Sequence, residues 1–298
     1  MAEDEKRVYL RIDSTTLSPE EISQRLALEP DEVHHIGDAV SVTSMRWDRN
    51  IWELNSGLKS LEAYDKQILS LLERLRGRES TIRALAQQNE VTLVFYAWCS
   101  KSNHHTLVLP TKILRSLAEL DCGIWCDFYM LGESKPDDNP PGASNFWNCE
   151  YSEESCAEGY NIRVYLAIES KTLAPDAVSE RLALKPDYVR CMGDEIGSTN
   201  RRWECNHWQI DSGMKFADGF DLQMQSLLAR VDGREAAIRD LALQEEVKVV
   251  CCGIRAYCNL ELWLPGGLLK SVAELGAALI GDFHSLPENE VVGEEFGS

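Results

Sequence analysis

The chain is short of positive charge. Its 30 lysines and arginines face 49 aspartates and glutamates, a net charge of −19. Direct binding to nucleic acid or to an anionic membrane needs cationic partners, so this balance disfavours both. It favours a basic partner, or serves plain solubility. Long apolar runs are missing too, and none approaches the ~20 residues that span a bilayer. The opening Met1-Ala2-Glu3-Asp4-Glu5-Lys6-Arg7 has no apolar h-region behind it, unlike a secretory signal. There is no glycine-rich phosphate loop, no HExxH and no G-x-S-x-G, so the common signatures of nucleotide binding, zinc proteolysis and serine hydrolysis are lacking.

What is present is a repeat. Arg46-Trp47, Trp52 and Ser56-Gly57 return in the same register as Arg202-Trp203, Trp208 and Ser212-Gly213. Tryptophan is rare, and two such pairs at one spacing point to duplication. Extended outwards, the match gives a first repeat over 1–131, an acidic linker over 132–160, and a second repeat with an acidic tail over 161–298. The cysteines do not follow it: Cys99, Cys122, Cys126 and Cys149 have no counterparts at Cys191, Cys205, Cys251, Cys252 and Cys258. A disulfide framework or zinc site inherited by duplication would repeat. The thiols are therefore expected to be reduced and mostly buried, in a cytoplasmic protein.

Within a repeat, Val8 to Ile12 alternates like a strand. Ser18-Pro19-Glu20-Glu21 starts a helix with a cap, a proline at its first turn and a capping box. Ala174 replaces the capping serine in the second repeat, which predicts a weaker start there. The segment from Trp47 to Leu54 alternates again. Leu61, Tyr64, Ile68, Leu71, Leu72 and Leu75 form the stripe of a long helix. Val91 to Trp98 is dense in β-formers, and Thr106 to Leu109 is expected to pair with it as a hairpin. A helix from Pro110 and a strand from Ile124 to Tyr129 close the repeat. The order β-α-β-β-α-α-β-β-α-β predicts an α+β fold of two homologous domains. Each is expected to be a mainly antiparallel sheet with helices packed on one face, the two related by a pseudo-twofold. The first six elements are compatible with a ferredoxin-like core.

Both repeats keep Asp38/Asp194, Arg46/Arg202, Trp47/Trp203, Trp52/Trp208 and Ser56/Ser212. Asp38, Arg46 and Trp47, with Asp194, Arg202 and Trp203, could line a cleft for a small anion or planar ligand. Burial of tryptophan favours the alternative, that the shared set is scaffold. The linker carries Asp137, Asp138, Glu150, Glu153 and Glu154 around Phe146-Trp147. That composition suits a spacer, while the aromatic pair suits docking on a domain or anchoring a partner. His34-His35 and His104-His105 are the only histidine pairs; neither repeats, and both fit a solvated strand edge as well as an acid–base or zinc site.

Leu-x-Leu-x-Pro-Asp, then Gly-Asp, Arg-Trp, Trp-x-x-x-Ser, a long helix and a final Asp-Phe strand resemble a widespread bacterial domain of unknown function, over about residues 8–131 and 164–286. A tandem, acidic arrangement also resembles immunity proteins that neutralise antibacterial toxins, including nuclease effectors of type VI secretion systems. The resemblance implies a non-enzymatic inhibitor, without metal or cofactor, whose partner is a cognate toxin with a basic surface. The alternatives are a small-ligand or sensor module using the Asp/Arg/Trp cleft, and an enzyme centred on His34, His35, His104 or His105.

Overall fold

The computed structural model describes residues 5–40, 45–60, 62–99, 104–130, 160–196, 201–256 and 258–286. The first repeat forms β1 (Glu5–Ser14), α1 (Pro19–Leu26), β2 (Glu32–His34), β3 (Asn50–Asn55), α2 (Tyr64–Leu75), α3 (Glu79–Ala86), β4 (Glu90–Cys99), β5 (His104–Leu109), α4 (Thr111–Leu120) and β6 (Gly123–Met130). The second forms β7 (Tyr160–Ser170), α5 (Pro175–Leu182), β8 (Tyr188–Arg190), β9 (Asn206–Asp211), α6 (Phe220–Arg230), α7 (Glu235–Ala242), β10 (Glu246–Ala256), β11 (Cys258–Leu264), α8 (Gly266–Glu274) and β12 (Ala278–Leu286). The expected order of elements holds in both repeats, and the class is α+β. Leu61 lies outside the described residues, and the long helix begins at Tyr64. The strand expected from Trp47 begins at Asn50; Trp47 belongs to the loop before it.

The described residues form two six-stranded sheets, ordered β11-β6-β4-β1-β3-β2 and β5-β12-β10-β7-β9-β8. Within the first, β4-β1-β3-β2 is the antiparallel order of a ferredoxin-like core, with Arg11 paired to Glu53 on one side and to Thr92 on the other. The second sheet repeats it as β10-β7-β9-β8. There β12 runs parallel to β10, as a strand returning through a helix does.

The expected hairpin between Val91–Trp98 and Thr106–Leu109 does not form. Strand β4 has two edges, and β1 and β6 occupy them. The β5 strand pairs instead with β12, Leu109 opposite Leu279 and His104 opposite His284. In return, β11 of the second repeat edges the first sheet beside β6. The compact units therefore do not follow the repeats. One takes Met1–Trp98, Lys112–Phe128 and Glu261–Lys270; the other takes Cys99–Thr111, Tyr129–Leu260 and Ser271–Ser298. In the first unit the borrowed segment packs closely, since a Cβ on Gly266 would stand 3.0 Å from the Asp121 carbonyl oxygen.

The sequence motifs explain each core. Trp52 and Trp208 are fully buried, and their indole N–H groups donate to Ser23 and Ser179 at 3.0 Å. The Pro-Asp that ends the first helix of each repeat supplies Asp31 and Asp187. Each accepts the backbone N–H at the end of the third strand and an arginine of the long helix, Arg74 or Arg230. Ser56 and Ser212 do tie off that strand, through a buried glutamine. Gln67 Oε1 accepts Val8 N–H (2.9 Å) and the Ser56 hydroxyl (3.2 Å), and Gln223 does the same for Val164 (2.9 Å) and Ser212 (3.1 Å). Ser18 caps α1 in a full capping box, whereas Ala174 leaves α5 without a side-chain cap.

Candidate functional site

Side chains alternate across a strand, so each sheet has a second face. In β1, Val8, Leu10, Ile12 and Ser14 are buried, while Tyr9, Arg11 and Asp13 point the other way and are half-buried. On that second face of the first sheet, Arg11 is central. Its guanidinium donates to Asp13 at 2.7 Å, lies 3.8 Å from Glu53, and stands 5.8 and 5.9 Å from the rings of Trp47 and Trp125. Burial raises the Glu53 carboxyl to about 7, although Arg11 pulls it down. Burial also raises the Tyr9 phenol well above its ordinary value, so Tyr9 stays neutral.

The second sheet carries different groups at the same places. Ala167 stands where Arg11 does and Gln209 where Glu53 does. Tyr165, Ala167 and Val250 form a small apolar cluster, joined by Cys252 and Ile280. On one flank, Glu169 accepts Lys248 Nζ at 2.9 Å and lies 3.5 Å from His207 and 3.9 Å from Arg190. The hydrogen bond with His207, opposed by burial and helped by Lys248, holds Glu169 down at about 2. On the other flank, His104 Nε2 lies 2.6 Å and His284 Nε2 3.3 Å from the same oxygen of Asp282.

The shared Asp/Arg/Trp set comes together at one loop in each repeat, and its members divide the work. Asp38 accepts His35 N–H and Asp194 accepts Cys191 N–H, closing the turn. Arg46 and Arg202 donate to the carbonyls of Gly37 and Gly193 at 2.5 and 2.6 Å. Both glycines have φ near +90°, which other residues adopt only under strain. The loop so clasped delivers its tryptophan to the second face. Trp47 stacks on His34, with centroids 4.8 Å apart, and Trp203 lies under the Arg190 guanidinium at 3.4 Å.

The four histidines singled out in the sequence are not brought together. His34 and His35 pair with Glu32 and Glu20 at the surface. His104 and His105 point to opposite faces of β5, and buried His105 meets Cys99 Sγ at 3.6 Å. Sequence reasoning missed the grouping of His104 with Asp282 and His284, because it depends on the exchanged strand. The signal was there in part: Asp282 and His284 are spaced i, i+2 on a strand. Asp137, Asp138, Phe146, Trp147, Glu150, Glu153 and Glu154 lie outside the described residues. Of the cysteines among the described residues, Cys99, Cys122, Cys126 and Cys251 are buried and Cys191 is exposed. Burial pushes the Cys122 thiol up to about 12, which makes it inert. No helix among the described residues is long and apolar enough to cross a membrane.

A family model described as a domain of unknown function, DUF4279, matches residues 4–131 and again residues 160–286. Neither the curated proteins nor the solved structures gave a match.

Proposed function

The chain belongs to the DUF4279 family, with its domain present twice, and on that premise we propose that it is a non-enzymatic inhibitor that binds and neutralises one cognate protein. The observation that carries this reading is the net charge of −19, which sets the sign of the partner. The second faces of the sheets add that the repeats are not interchangeable: one holds Arg11 between two tryptophans, the other a buried apolar cluster flanked by Glu169 and Asp282. A basic cleft, as in a nuclease, would attract the protein over long range and be filled by its carboxylates. In this proposal the partner is an antibacterial toxin, such as a type VI effector met in the cytoplasm, and the protein is its immunity factor. The acidic segment with Asp137, Asp138, Glu150, Glu153 and Glu154 supplies charge, and Phe146-Trp147 an aromatic anchor.

A small-ligand module is the second reading, favoured by Arg11 between Trp47 and Trp125. It needs two similar sites. Asp13 and Glu53 already neutralise Arg11, and alanine replaces it in the second repeat, so the inhibitor reading is the stronger.

The test is capture of partners from the native organism with the tagged full-length protein, at low and then high salt, followed by co-expression of whatever is captured. One dominant basic protein that is released as salt rises, and whose growth arrest the chain relieves, is the expected result. Absence of any stoichiometric protein partner at low salt would overturn it.

A further inference from the structure

The exchanged strand builds a donor set that neither repeat contains alone. On β12, Asp282 and His284 are two residues apart and share a face. Directly across the ladder, His104 on β5 is the partner of His284, so the three side chains converge. The imidazole rings stack with centroids 4.2 Å apart, and the donor atoms all lie within 4.8 Å of one another. Only 22%, 15% and 12% of the His104, Asp282 and His284 side chains is exposed, so the cluster is sheltered but reachable by an ion.

Two imidazoles and one carboxylate suit zinc and its first-row neighbours rather than magnesium or calcium, which take oxygen. Ligand atoms ~2.0–2.1 Å from a tetrahedral zinc stand roughly 3.3 Å apart. His284 Nε2 and Asp282 Oδ1 are already 3.3 Å apart. His104 Nε2, at 2.6 Å from Asp282, has less than an ångström to move, which side-chain rotation supplies. Thr106 Oγ1 is 3.1 Å from His104 Nε2 and borders the site.

We propose that His104, Asp282 and His284 form a divalent transition-metal site, filled best by zinc, with three protein donors and the remaining position open to water. One equivalent binds per chain. At the matching places of the first sheet the sequence has Asp127, Tyr129 and Asn259, a set with one carboxylate and no imidazole. The metal joins β5 to β12 from side to side and so locks the exchanged strand in its sheet. Asp282 also flanks the face discussed above, but metal uptake is measured on the protein alone and so is tested apart from any partner.

The competing account is that Asp282 merely accepts hydrogen bonds from two histidines. Titration of the chelator-stripped full-length protein with cobalt, followed by zinc displacement, separates the two. Expected are the visible absorption of a low-symmetry cobalt site saturating at one equivalent, and zinc-dependent thermal stabilisation. Asp282→Asn and His284→Tyr, the second copying the first repeat, should each weaken zinc binding by about 100-fold or more. Their circular dichroism in chelator should match the parent's, which keeps loss of binding distinct from loss of fold. His34→Ala with His35→Ala should bind as the parent does. No uptake, two equal equivalents, or variants that bind zinc like the parent would each overturn the proposal.

Discussion

On the side that meets the helices, the two sheets share their polar clasps, although Cys251 stands where the buried Phe95 does. Trp52 and Trp208 donate to Ser23 and Ser179 at the same distance, and Gln67 and Gln223 hold the same strand end. On the opposite side, Arg11 faces Ala167, Glu53 faces Gln209, Ile51 faces His207, and Thr92 faces Lys248. A close-packed interior tolerates few changes of volume, because a cavity or an overpacked atom costs stability at once. The second face has diverged although much of it is buried too: Ile51, Thr92, Ala167, His207 and Gln209 are buried, and Arg11, Glu53 and Lys248 half-buried. In the proposed inhibitor, recognition would use the positions where the duplicates part rather than those where they agree.

The largest test of that comparison is on the shared side. Trp52→Ala and Trp208→Ala should each cost about 3–5 kcal/mol, and by similar amounts, in urea unfolding at neutral pH. Strongly unequal losses would break the claimed equivalence of the two cores.

Acidity sharpens the contrast, with opposite signs in the two repeats. Glu53 is raised from its ordinary 4.5 to about 7. Between those values the folded state binds more protons than the unfolded, so this group removes stability as pH rises from about 4.5 to 7, by roughly 3 kcal/mol at most. Glu169 is lowered to about 2. Its contribution is fully present above about 4.5 and is lost as pH falls towards 2. Glu169→Gln should cost about 3 kcal/mol at pH 7, because Lys248 and Arg190 lose their buried partner. Glu53→Gln should leave stability flat between pH 4.5 and 7 and raise it at pH 8. Chemical unfolding across pH 3–8 reads both slopes, and like-signed slopes would undo the comparison.

The smallest effect is at the helix starts. Ala174 has nearly the backbone angles of Ser18, −70° and 153° against −75° and 160°. Ala174→Ser should therefore gain about 0.5–1 kcal/mol, and Ser18→Ala should lose about 1, measured by thermal melting.

Much of this architecture was legible in the residues. The paired tryptophans revealed the repeat, and alternation and capping placed the elements in order. Alternation cannot choose a partner, however. Thr106 to Leu109 reads as a strand wherever it pairs, and only the competition for the edges of β4 sends it to β12. The site around Asp282 was hidden for the same reason, since His104 is 178 residues away from it in the chain. The Asp/Arg/Trp set was visible as a group, but its division into a clasped turn and a presented ring needed coordinates. Gln67 and Gln223 escaped notice because a glutamine on a helix looks like a solvated one.

The exchange also sets a timetable. During synthesis β5 leaves the ribosome early, and the strand it needs is among the last described stretches to follow. At ~5–20 residues per second the gap to Asp282 is roughly ten to forty seconds. For that interval the first repeat lacks its edge strand, and β5 shows bare backbone donors and acceptors to any neighbour. Chains translated side by side from one message could take each other's strand, which would tie two molecules together through a correctly formed sheet. Speed of elongation, rather than sequence, would then decide how much of the protein is single.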